Sequence, residues 1–122
     1  MENIASSSKE LIKIAYEALN EKKGEDIKII DISALTVVAD YFIIANGSND
    51  SHVNALVENV EEQLAKHGCH AKTREGAVRG GWVLIDFGDI IVHIFDKENR
   101  LFYDLERIWR DGKELDAADF LK

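Results

Sequence analysis

Three ionisable side chains, Asp86, Asp89 and His93, interrupt the otherwise apolar stretch Trp-Val-Leu-Ile-Asp-Phe-Gly-Asp-Ile-Ile-Val-His-Ile-Phe at residues 82–95. A carboxylate within reach of an imidazole can orient or charge it, the arrangement behind general acid-base chemistry. A catalytic dyad also needs a third group to attack or donate, and no G-x-S-x-G or comparable Ser or Cys motif supplies one. Asp86 and His93 therefore read as a structural or partner-facing pair. His52, His67, His70 and His93 have neither the H-x-x-x-H nor the H-E-x-x-H spacing of zinc sites. Cys69 is the only cysteine, which excludes an intrachain disulfide and a cysteine-built zinc site and fits a reducing compartment. No metal and no cofactor are expected.

Gly47-Ser48 raises a second possibility, because a helix N-terminus offers free N–H groups and a positive dipole end to a phosphate. Nucleotidyltransferases that use such a turn also need an Asp-x-Asp or Asp-x-Glu pair pointing one way to hold metal on the triphosphate. Residues 71–75 contain no such couple, Asp86 and Asp89 are separated by a turn, and the neighbours in Glu25-Asp26 and Glu61-Glu62 diverge. The plainer reading is that Gly47 permits the turn and that Ser48 or Asp50 caps a helix. Trp82 and Tyr103 suit either ordinary core packing or a binding surface, where rigid aromatic area is ringed by polar groups, whereas Trp109 is in phase with Leu105 and Ile108 and reads as core. Arg100, Arg107 and Arg110 are expected to pair locally with Asp104, Glu106 and Asp111 on a solvated helix face, a plainer reading than an RNA site.

The elements that must position these groups follow from periodicity. A two-residue turn at Gly88-Asp89, of type I′ or II′, pairs Phe87 with Ile90 and sets Leu84 opposite His93. Val83, Ile85, Phe87, Ile90, Val92 and Ile94 then share an apolar face, and Trp82, Leu84, Asp86, Ile91, His93 and Phe95 a mixed one. Ser7-Ser8-Lys9-Glu10 has capping-box form and opens a helix whose apolar residues recur to Leu19, with Gly24 as its stop. Strands are expected over 27–32 and 40–46, the second apolar on both faces as in a central strand. A helix from Gly47-Ser48-Asn49-Asp50 to Gly68 follows, with Val53, Leu56, Val57, Val60 and Leu64 as its buried stripe. A polar edge strand over 70–74 would then complete a crossover unit.

Residues 100–109 carry apolar side chains at helical spacing, and residues 111–122 read as a short helix or a frayed, mobile tail. The order implies an α/β or α+β domain: a mixed sheet of about five strands with helices packed on it. With 122 residues, no proline and no linker-like segment, one domain spanning 1–122 accounts for the chain. A formal charge of −8 and a pI near 4.9 disfavour direct contact with DNA or other nucleic acid phosphates and suit either plain solubility or a basic partner. No apolar run has the length of a membrane span, and Met1-Glu2-Asn3 starts neither a signal nor a transit peptide, so the cytoplasm is the expected location.

Taken in order, the motifs resemble the ribosomal silencing factor S family, also called Iojap. They are Asp40-Tyr41-Phe42-Ile43-Ile44-Ala45 with Gly47-Ser48, His52, Glu75-Gly76, the run from Trp82 to Asp89, Val92-His93-Ile94-Phe95, and Arg100 through Tyr103-Asp104-Leu105-Glu106 to Trp109. Asn46 and Ser51 depart from the Thr and Arg of many relatives, which weakens any anion contact at that helix start. The resemblance implies a fold distantly similar to nucleotidyltransferases, without established catalysis. It further implies binding to the large ribosomal subunit through ribosomal protein fourteen, where the small subunit docks, and so a block of subunit joining when nutrients are scarce. Carried over by motif position, the partner surface is Glu75, Trp82, Asp86, Asp89, His93, Arg100 and Tyr103. A homodimer through a strand edge or the mixed face, and a nucleotide-binding protein or enzyme centred on Gly47 and Ser48, are the alternatives.

Overall fold

Ser7 accepts the Glu10 N–H on its hydroxyl at 3.2 Å and so starts α1 (Ser8–Glu21), the first element of a computed structural model that describes residues 7–99 and 113–116. The expected capping residue is therefore the one used. The stop differs. At the end of α1 the left-handed position belongs to Lys23, φ 60°, and Gly24 follows it, donating its N–H to Leu19 O at 2.8 Å. Gly24 is needed for closeness: a Cβ there would lie 3.0 Å from Leu19 O and 3.2 Å from Leu56 Cδ2. The second helix, α2 (Asp50–Lys66), ends as expected, with Gly68 at φ 79° and the Cys69 N–H on Leu64 O at 2.9 Å.

Six strands stand among the described residues: β1 (Glu25–Asp31), β2 (Tyr41–Gly47), β3 (Thr73–Ala77), β4 (Trp82–Asp86), β5 (Ile90–Asp96) and β6 (Lys113–Leu115). They form one mixed sheet in the order β3-β4-β5-β2-β1-β6, parallel at β2 with β5 and antiparallel at every other pair. Two expectations change here. The crossover through α2 returns at β5, not at the segment after Gly68, which pairs only with β4 and turns back from it as an antiparallel edge. Residues 113–115, expected in a short helix or frayed end, are a strand paired with β1. The segment 100–109 and the rest of the tail lie outside the described residues.

Strand alternation then divides the core. Val83, Ile85, Phe87, Ile90, Val92 and Ile94 all lie beneath the helices with Ile43, Ala45, Leu56, Val60 and Leu19. Each such aliphatic side chain contributes about 1.5–3 kcal/mol by leaving water. β2 is buried along both faces from Phe42 to Gly47, the central position its sequence predicts. Its other face joins Ile30, Ile32, Ala39 and Phe95 in a second cluster, against which Trp82 and Ile91 pack.

Candidate functional site: the Trp82 face

The hairpin is the framework of this face. Phe87 N–H bonds Ile90 O at 3.0 Å, Leu84 stands opposite His93, and Gly88 has φ 100°. Asp89 is not among the non-glycine residues at positive φ, so the turn has the type II′ pattern with glycine first. Cross-strand register places residues in rows on the face away from the helices. Asp86, Ile91 and Phe42 form one row, Glu75, Leu84, His93 and Ile44 the next, and Ala77, Trp82, Phe95 and Asn46 the third. Four of the expected partner residues, Glu75, Trp82, Asp86 and His93, therefore share one face. Asp89 stands exposed at the turn that ends it. Arg100 and Tyr103 lie outside the described residues.

Within the face the chemistry is set by one hydrogen bond. An indole N–H can only donate, and Trp82 Nε1 lies 3.3 Å from His93 Nδ1, so Nδ1 is the acceptor and the ring proton sits on Nε2. Among the described residues Nε2 has no hydrogen-bond partner, and the ring is 3 % exposed. Phe42 meets the imidazole edge-on at 4.7 Å, while Trp82 and Phe95 lie nearly parallel to it. Burial pushes the His93 pKa down to about 4, since the apolar surroundings disfavour the charged ring.

Asp86 does not act on this histidine. Its Oδ1 accepts the Gly88 N–H at 2.7 Å and holds the turn. The diagonal neighbours expected to reach each other thus hydrogen-bond to different groups, Asp86 to the turn and His93 to the indole. Trp82 is positioned from both sides. Gly76, φ 80°, leaves no room for a Cβ, which would fall 2.3 Å from Trp82 O, and Gly81 does the same beside Asp96 and Asn99. Phe42 and Ile44 also belong to the face, although the hairpin pattern alone did not include them. Their signal is the run apolar on both faces, which requires a second buried side.

At the other candidate site two of the N–H groups a phosphate would use, those of Ser48 and His52, are already hydrogen-bonded within the turn. Asn49, rather than Ser48 or Asp50, caps α2 through Oδ1, accepting the His52 N–H at 2.8 Å. Ser48 N–H is taken by His52 Nδ1 at 2.9 Å, and the remaining His52 nitrogen meets Lys22 O at 2.8 Å. Gly47 is required by packing, because a Cβ would sit 2.8 Å from Val53 N. The adjoining open cleft, of about 520 Å³, is lined by Ser48, Asn49, Asp50, Asp96, Lys97 and Glu98, a set with three carboxylates and one amine. Among the described residues no three His, Cys, Asp or Glu gather as a metal site, and no helix is long and apolar enough to cross a membrane. Cys69 is half-buried beside Phe87 O, and burial raises its pKa, so it is a poor nucleophile.

Known proteins resemble the chain over most of its length. Residues 5–122 match the family model described as ribosomal silencing factor during starvation. A Bacillus subtilis protein named ribosomal silencing factor RsfS is 39% identical over 106 residues, 87% of this chain and 90% of that protein. A crystal structure of a Chromobacterium violaceum protein, 38% identical, superposes with a TM-score of 0.82 over 85% of this chain and 87% of that one. More distantly, a mouse protein named for mitochondrial assembly of the ribosomal large subunit is 30% identical over 80% of this chain and 44% of its own length.

Proposed function

The chain belongs to the ribosomal silencing factor family, and from that premise we propose that it represses translation in the cytoplasm by occupying the large ribosomal subunit. It binds large-subunit ribosomal protein fourteen where the small subunit docks and blocks joining sterically. The observation that supports this reading is the Trp82 face: a half-buried indole over an aromatic floor, with Glu75 exposed at one edge and Asp89 at one end. Aromatic area desolvated inside a polar rim is the usual anchor of a protein interface, and acidic groups steer a basic partner into register. Glu75, Asp86, Asp89, His93, Arg100 and Tyr103 complete the proposed surface. His93 serves it from beneath, by fixing the indole rather than by touching the partner.

Occlusion requires no chemistry. A chain of this length has a radius of gyration near 14 Å, wide enough to cover a docking surface. Self-association through the β3 edge or the Trp82 face would compete with the ribosomal protein for the same groups. The test is cosedimentation with purified large subunits and a subunit-joining assay, using Trp82→Ala and Asp89→Lys. Asp89 is the cleaner charge probe because Asp86 also holds the turn. Each variant is expected to weaken binding at least about tenfold and to restore joining. If both bind and block like the unmodified chain, the surface is wrong.

A further inference from the structure

The loop between β1 and β2 carries the large apolar side chains most open to water among the described residues. Leu35 is 42% exposed, Val38 65% and Val37 104%. The backbone that presents them is ordered by its own hydrogen bonds. Asp31 Oδ1 accepts the Ser33 N–H at 2.9 Å, Ile32 O accepts from Leu35 and Thr36 at 2.9 and 3.2 Å, and Thr36 Oγ1 accepts the Val38 N–H at 3.1 Å. Both ends are anchored, since Ile32 and Ala39 are buried in the same cluster as Phe42, Ile44 and Phe95. The tip is thus held in water at the end of the Trp82 face. Neighbouring aliphatic side chains fixed in that way mark an interaction site, because covering them recovers a burial the monomer forgoes.

Charge selects the occupant. Asp31 is in the loop's own hydrogen-bond network, Asp40 closes the loop and accepts the Ser8 hydroxyl, and Asp89 O accepts the Asp40 N–H at 2.8 Å. Asp31 and Asp40 therefore put a carboxylate at each end of the loop, residues 29–41 contain no Lys or Arg, and Lys113 stands opposite Asp31 on β6. A second copy would set acid against acid between two chains of charge −8. Resting on the ribosome-binding reading above, we propose that the loop of residues 32–40 is a second docking element. Val37 and Val38 enter an apolar recess rimmed by Lys and Arg on the basic ribosomal protein that meets the Trp82 face.

The experiment compares Val37→Ser/Val38→Ser with Trp82→Ala and the unmodified chain, by cosedimentation with purified large subunits and by sedimentation velocity of each chain alone. Both valines are at the surface, so the double variant keeps its melting temperature. It is expected to bind large subunits at least about tenfold more weakly, and Val37→Leu/Val38→Leu to bind like the unmodified chain. Unchanged binding by the serine variant, with Trp82→Ala impaired, overturns the docking loop and leaves the ribosome-binding reading intact. Failure of the unmodified chain to cosediment overturns both. Loss of a self-associated species with ribosome binding unchanged assigns the loop to a second copy and overturns the basic partner.

Discussion

His93 lies 3% exposed with Nδ1 accepting the Trp82 indole N–H, so protonation there would place a charge in an apolar site and abolish that hydrogen bond. Its pKa is pushed down to about 4 by burial, against about 6.5 in an unfolded chain. Between those values the unfolded state binds more protons, so stability rises with pH. His93 therefore costs nothing above about pH 6.5, costs progressively more as pH falls toward 4, and reaches a plateau below that, a total on the order of 3 kcal/mol. Urea unfolding at a series of pH values should show this slope, and His93→Phe should flatten it. An unchanged slope in the variant would assign the titration to another group. Both Asp86 and His93 were visible in the sequence as polar residues in an apolar run, and the register put them diagonal to one another. Their separate hydrogen bonds were not visible, because a two-residue period gives the face of a side chain and not its rotamer or its nearest donor.

The helix ends show how local rules operate within packing. Both helices finish with the same pair of hydrogen bonds, yet in α1 the left-handed residue is Lys23 at φ 60°, while in α2 it is Gly68. A β-carbon in that region costs roughly 1–2 kcal/mol, partly offset by the flexibility glycine brings to the unfolded chain. Lys23→Gly should accordingly stabilise the protein by about 0.5–1 kcal/mol, read by calorimetry as a melting temperature higher by a few degrees. A lower melting temperature would show that Lys23 carries no such strain. Gly24 attracts the assignment in sequence because glycine marks helix stops, whereas its actual requirement is the approach of Leu19 and Leu56. The hairpin was legible in full, since a glycine-led two-residue turn fixes register by itself. An edge strand was legible here, but not its bounds, expected over 70–74 and found at Thr73–Ala77, nor its partner: pairing across a sheet depends on chain path, and the intervening helix concealed that β5 is the parallel return.

At the scale of the molecule, an acidic chain meeting a basic protein should associate by charge steering. Raising salt from about 50 to 500 mM should slow association with the purified ribosomal protein by roughly tenfold, and dissociation should change far less. Stopped-flow or surface-binding kinetics separate the two rates, and a salt-independent association rate would remove acidity from the account. Composition, the hairpin register, the amphipathic helices and the double-sided β2 run were determined by the sequence itself, because each depends on near neighbours in the chain and on which side chains leave water. So was membership of a ribosomal silencing family, carried by motifs in order. The tertiary structure alone decided that Glu75 and Phe42 join the face that Trp82 and His93 share, that Asp86 serves the turn, and that Val37 and Val38 stand exposed at its end. Those facts depend on which strands lie side by side, a choice made by the burial of the whole sheet and not by any one segment.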